Sequence, residues 1–119
     1  SNTGVVATDT TGVGTARGDL AAAGYGTDKA IFGYGGSGGG VSITNLVSNT
    51  GVVATDTTGV GTTRYSLAAA GYGGDKAIFS GGVDSPSTNL VSNTGVISAF
   101  ITQVGTGRYQ LAAAGYSLS

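Results

Sequence analysis

Histidine, cysteine, glutamate, methionine and tryptophan are all missing from this 119-residue chain, and proline occurs once, at Pro86. Without cysteine there are no disulfides and no thiolate–metal sites, and the redox compartment is left open. Without histidine, glutamate or cysteine, the usual general bases and thiol nucleophiles are gone as well. Ser and Thr are plentiful, but nothing stands by to activate them. The only acids are Asp9, Asp19, Asp28, Asp56, Asp75 and Asp84. The expectation is a protein that is not an enzyme and carries no cofactor or metal.

Charge is scarce too. Only 9% of residues are charged, against roughly 25% in ordinary soluble domains. A net charge of −1 gives no electrostatic case for binding nucleic acid or an anionic membrane surface. No run approaches the ~18 apolar residues of a membrane-spanning helix, and no signal-peptide pattern opens the sequence. Low charge with 39% apolar residues argues for a folded chain over a solvated, disordered one.

What the chain has is glycine, 24 residues of it, and repetition. Ser1–Thr15 (SNTGVVATDTTGVGT) recurs letter for letter at Ser48–Thr62, and a third, altered copy (SNTGVISAFITQVGT) starts at Ser92, the starts lying 47 and 44 residues apart. Leu20, Leu67 and Leu111 each open LAAAGY, and Arg17, Arg64 and Arg108 stand just before them. Self-similarity at this period marks a repeat architecture in which one unit cannot bury its apolar face alone. The reading divides the chain into a partial repeat at 1–16, units at 17–63 and 64–107, and a partial repeat at 108–119. It begins in mid-repeat, as a piece of a longer polypeptide would.

Each unit holds four short apolar segments: Leu67–Tyr72, Lys76–Ser80, Asn89–Ser92 and, from the equivalent loop, Val52–Thr57. All are bounded by Gly, Asp, Asn or Ser, the pattern of strands joined by tight turns. Gly26-Thr27-Asp28, Gly73-Gly74-Asp75 and Asn49-Thr50-Gly51 are the turn candidates. Four antiparallel strands per unit is the size of a propeller blade. The order Arg, small-residue strand, Gly-Asp turn, aromatic strand and di-glycine (Gly35-Gly36, Gly81-Gly82) resembles the kelch repeat. That resemblance implies an all-β fold of kelch-like β-propeller blades, about two and a half per chain. Kelch units usually carry a Trp in the later strands, and here there is none. The DKAIFGYG unit is also similar to repeats in virion and tail-fibre-like proteins of bacteriophages. This implies a structural or receptor-contacting component of a virion or an extracellular surface. A β-solenoid or stacked fibre is the competing architecture.

Two and a half blades cannot close a ring. The implied partners are therefore other copies, or further repeats of a longer chain, together with a glycan or protein ligand. The segments that differ most between units are Gly35–Gly40 and Val83–Ser87, where a recognition scaffold would diversify. Candidate ligand contacts are Tyr34, Ser37, Asp84 and Ser85 in and around these loops, and Arg17, Arg64 and Arg108 as a ring around a channel mouth. The structural reading of the arginines has them bonding strand carbonyls or Asp9 and Asp56. Asp28-Lys29 and Asp75-Lys76 read as turn-capping pairs, and the GxGxxG match at Gly33–Gly38 as chance in a glycine-rich chain.

Overall fold

A computed structural model describes residues 3–83, 85–99, 101–102 and 106–116. Every regular element among them is a β-strand, so no helix is present that could cross a membrane. The first sheet is an antiparallel meander of β1 (Ala21–Tyr25), β2 (Lys29–Gly33) and β3 (Thr44–Val47). The second repeats it with β4 (Ala68–Tyr72), β5 (Lys76–Ser80) and β6 (Ser87–Val91), and adds β7 (Ile101–Thr102) at its edge.

The two hairpins are built alike. Ala23 pairs with Ile31 in one and Ala70 with Ile78 in the other, in identical register. Each turn contains two consecutive residues with positive φ, Gly26-Thr27 and Gly73-Gly74, the backbone twist that a tight antiparallel turn demands. Asp28 and Asp75 accept hydrogen bonds at 2.8 Å from the Nζ of Lys29 and Lys76. Asp28 also accepts one from Asn49 Nδ2, which fastens the turn to the neighbouring loop.

The fourth segment departs from the expectation of a continuous strand. Residues 52–57 run along β3 but meet it in only two bridges, Val47 with Val53 and Thr44 with Thr57. Three steps on β3 face four on its partner, so one extra residue bulges out and breaks the ladder. The second unit repeats this: Val91 pairs with Ile97 and Thr88 with Ile101.

The sheets stack face to face, β1 lying against β4 and β5. Alternation along the strands shows which face meets which. Tyr25 and Ile31 from the first sheet are buried, as are Ala77 and Phe79 from the second, and with Tyr34, Leu67 and Val91 they form the core. At the equivalent places on the outward faces, Phe32 and Ile78 are only half-buried, and Tyr72 is 39% exposed against 4% for Tyr25. Each sheet thus has one covered and one open face.

Backbone hydrogen bonds cross the seam. Gly35 N–H donates to Arg64 O, Ser66 N–H to Asp19 O and Gly26 N–H to Asp75 O. The third copy continues the series: Gly82 N–H donates to Arg108 O and Gln110 N–H to Ser66 O. Asp19, Ser66 and Gln110 share a left-handed backbone, with φ of 51°, 55° and 54°. Residues 111–116 therefore lie where the next unit's first strand belongs, yet form no strand. The all-β, antiparallel, repetitive character is thus present, and the two sheets by themselves close no ring.

Candidate functional site

The repeated arginines organise each sheet. Arg17 donates from Nε to Tyr34 O at 2.7 Å, from Nη1 to Thr15 O and from Nη2 to Asn45 Oδ1. Asn45 in β3 passes the contact on, its Nδ2 donating to Ala54 O inside the bulge. The second unit repeats the relay: Arg64 Nη1 to Thr62 O, Arg64 Nη2 to Asn89 Oδ1, and Asn89 Nδ2 to Ser98 O. A side chain entering ahead of the first strand thereby fixes the third strand and satisfies a carbonyl that the broken ladder leaves over.

Arg64 is completely buried. Its guanidinium lies over the Tyr34 ring, 4.0 Å from the centroid, and its Nε makes no hydrogen bond. Burial pushes Arg64 below its ordinary value and Tyr34 above its own. Tyr34 packs edge-on against Phe79 and donates its hydroxyl to Val60 O.

The first unit adds a carboxylate. Asp56 accepts from Asn45 Nδ2 and from the amide and hydroxyl of Thr15, with Arg17 Nη1 4.0 Å away. These contacts, Asn45 first and Thr15 next, hold Asp56 below the usual 3.8. A lowered carboxylate stabilises the fold above the unfolded value, and that contribution fades as pH falls through the folded one. Melting temperature should therefore drop below about pH 4, and Asp56→Asn should flatten the decline. Asp28 and Asp75, also lowered by their lysines, leave a residual slope of the same sign. Superimposable pH profiles for wild type and variant would refute the role of Asp56.

The diverged loops lie beside the seam. Asp19, Gly36, Gly38 and Gly39 of the first unit line a groove of about 430 Å³ with Tyr65 of the second. A groove of about 300 Å³ occupies the equivalent place one unit on, between Gly82, Ser85 and Pro86 and the following Gly107, Arg108 and Tyr109. Each groove thus joins the variable loop of one unit to the tyrosine after the next unit's arginine.

Of the residues singled out in the sequence, Ser85 and Arg108 line the second groove, and Ser37 is exposed on the loop bordering the first. Tyr34, Arg64 and the Arg17 side chain are enclosed by protein, so their place is in the packing and not at the groove surface. Asp84 lies outside the described residues. Sequence reasoning passed over Asn45 and Asn89. The signal for them was an Asn kept at one place inside a β-branched segment, where it is disfavoured unless its amide is used. It also undervalued Tyr65 and Tyr109, the latter 59% exposed. No protein-family model matches the chain, and no curated protein matches it in sequence.

Proposed function

We propose that the chain is a non-enzymatic, propeller-type recognition scaffold that binds a glycan in the grooves at its unit seams. The observation that carries this is the recurrence of one groove, with a diverged loop on one wall and a tyrosine at the same repeat position on the other. Tyrosine rings beside backbone and hydroxyl groups suit neutral sugars, whose faces are apolar and whose edges are polar. The near-neutral charge agrees with an uncharged ligand.

The blade reading is supported by unequal side-chain bulk across the sheet. The first strands are Ala-Ala-Ala-Gly, and Gly71 sits close to the carbonyl of Gly24, while Phe and Leu occupy the later strands. Sheets that approach closely at one edge and are held apart at the other fan around an axis, as propeller blades do. A place on a virion or an extracellular surface rests on the phage-like repeat resemblance.

With no tryptophan in the chain, emission comes from six tyrosines, of which Tyr65 and Tyr109 line the grooves, and the Tyr65→Ala and Tyr109→Ala variants identify their share. Titration with neutral hexose oligosaccharides should change it saturably. Tyr109→Ala and Tyr65→Ala should each weaken binding about tenfold, as loss of roughly 1.4 kcal/mol of stacking implies. A flat response across the oligosaccharides would overturn the glycan reading.

A further inference from the structure

Asp19, Ser66 and Gln110 stand at one repeat position, two residues after the arginine and one before LAAAGY, and each is a different polar residue. The backbone beneath them does not change, with φ of 51°, 55° and 54°. A polar group exchanged on a constant frame lets a recognition surface alter its preference without disturbing the fold. Asp19 is exposed and lines the first groove with Gly36, Gly38, Gly39 and, from the next unit, Tyr65. Among the described residues its carboxylate has no hydrogen bond or ion pair, and no cation lines the groove. The glycine loop supplies the complement. Among the described residues the amides of Gly38 and Gly39 donate to no acceptor, and a Cβ at either would meet nothing within 4 Å. Both N–H groups are thus open to a ligand. A Cβ on Gly36 would rest 3.8 Å from Tyr65 Cβ and 3.9 Å from its Cγ, so glycine there leaves that side of the tyrosine uncovered.

We infer, resting on the glycan reading of the grooves, that Asp19 is the specificity-determining residue of the first one. Its carboxylate accepts two adjacent sugar hydroxyls, and the Gly38 and Gly39 amides donate to the sugar's oxygens. A carboxylate accepts and never donates, an amide N–H donates and never accepts, and a hydroxyl does both. A pair of neighbouring hydroxyls therefore satisfies both walls, and the apolar face of the sugar ring is left for Tyr65. An acidic sugar fits badly. A hexuronate carboxylate brought beside Asp19 meets a like charge, with no cation in the groove to offset it. The first groove thus selects neutral sugars that carry adjacent hydroxyls and turns acidic ones away.

The test uses the Tyr109→Ala chain, whose second groove has lost its tyrosine, so that Tyr65 emission reads the first. Neutral hexose oligosaccharides should bind it about fivefold more tightly than the matching hexuronate oligosaccharides. Asp19→Asn, added to that chain, removes the charge and keeps the side-chain shape, and asparagine enters the left-handed region readily. It should weaken binding of the neutral series about tenfold, through loss of charge-assisted hydrogen bonds, and erase most of the preference over hexuronates. Monodeoxy hexoses give the same information from the ligand's side. Removing one hydroxyl of the pair should weaken binding to the chain that keeps Asp19 and change little in Asp19→Asn. Neutral binding unaltered by Asp19→Asn would overturn the inference, as would hexuronates bound as tightly as the neutral sugars when Asp19 is present. Sugar binding that ignores Asp19 leaves the glycan reading standing, whereas no response to any sugar in any variant removes both.

Discussion

Arg64→Ala is expected to cost about 3 kcal/mol, from a buried site with lost hydrogen bonds and a lost cation–π contact. At this chain length that is a fall of roughly 12 °C in melting temperature. The substitution removes the donors to Asn89 Oδ1 and Thr62 O and opens a void against the Tyr34 ring. It also strands Asn89, whose other end holds the bulge at Ser98. Arg108 tests the explanation from within the same molecule. It holds the same repeat position but is exposed, so Arg108→Ala should change stability by no more than about 0.5 kcal/mol. Circular dichroism melts of the two variants settle the matter. Equal losses would show that the arginine acts through its repeat position and not through the enclosure around Arg64.

Gly81→Val is expected to be next in size, at about 2 to 3 kcal/mol. Gly81 has φ of 73° and follows β5, and a Cβ there would lie 2.8 Å from Arg108 O. The comparison within the chain is informative again. Tyr34 occupies the same place in the first unit with φ of 60°, so an unbranched side chain is tolerated there when its ring is received in the core. Valine is branched at Cβ, which disfavours the left-handed region most strongly. Gly81→Asn, which enters that region readily, should lose less than half as much. A valine variant as stable as the asparagine one would remove backbone conformation as the cause.

Strands were legible wherever local pattern and partner coincide. Lys76–Ser80 forms β5 with the expected bounds, and Leu67–Tyr72 loses only its first residue. The failures share one cause. Residues 3–15 and 50–62 have the same letters, yet only the second stretch lies along a strand, because β3 is beside it. Likewise the AAAGY of β1 and of β4 each pairs with a KAIF strand, whereas residues 111–116, with the same letters, are unpaired and form no strand. Propensity described these segments equally well; pairing decided between them, and pairing is not local.

For the candidate site, the arginines were visible because three of them keep one spacing. Their acceptors were only half visible: Asp56 was named, but the asparagines that receive both complete arginines were not. An asparagine contributes to such a relay by bonding at both ends of its amide. That property depends on where the bulge falls, and a two-residue periodicity cannot show a bulge.

The bulge beside Asn45 and Asn89 bears on how the sheet's outer border meets other strands. With a net charge of −1, molecules repel one another weakly, and near-identical units in tandem invite pairing in the wrong place. A long, flat outer strand would be a template for any neighbour carrying the same letters. Breaking that rim into two short pieces, with the intervening carbonyl already bonded to a side chain, leaves no run long enough for edge-to-edge growth. The same asparagine that ties the arginine to the bulge also occupies a carbonyl on the sheet's most repetitive border, shortening the stretch open to edge pairing.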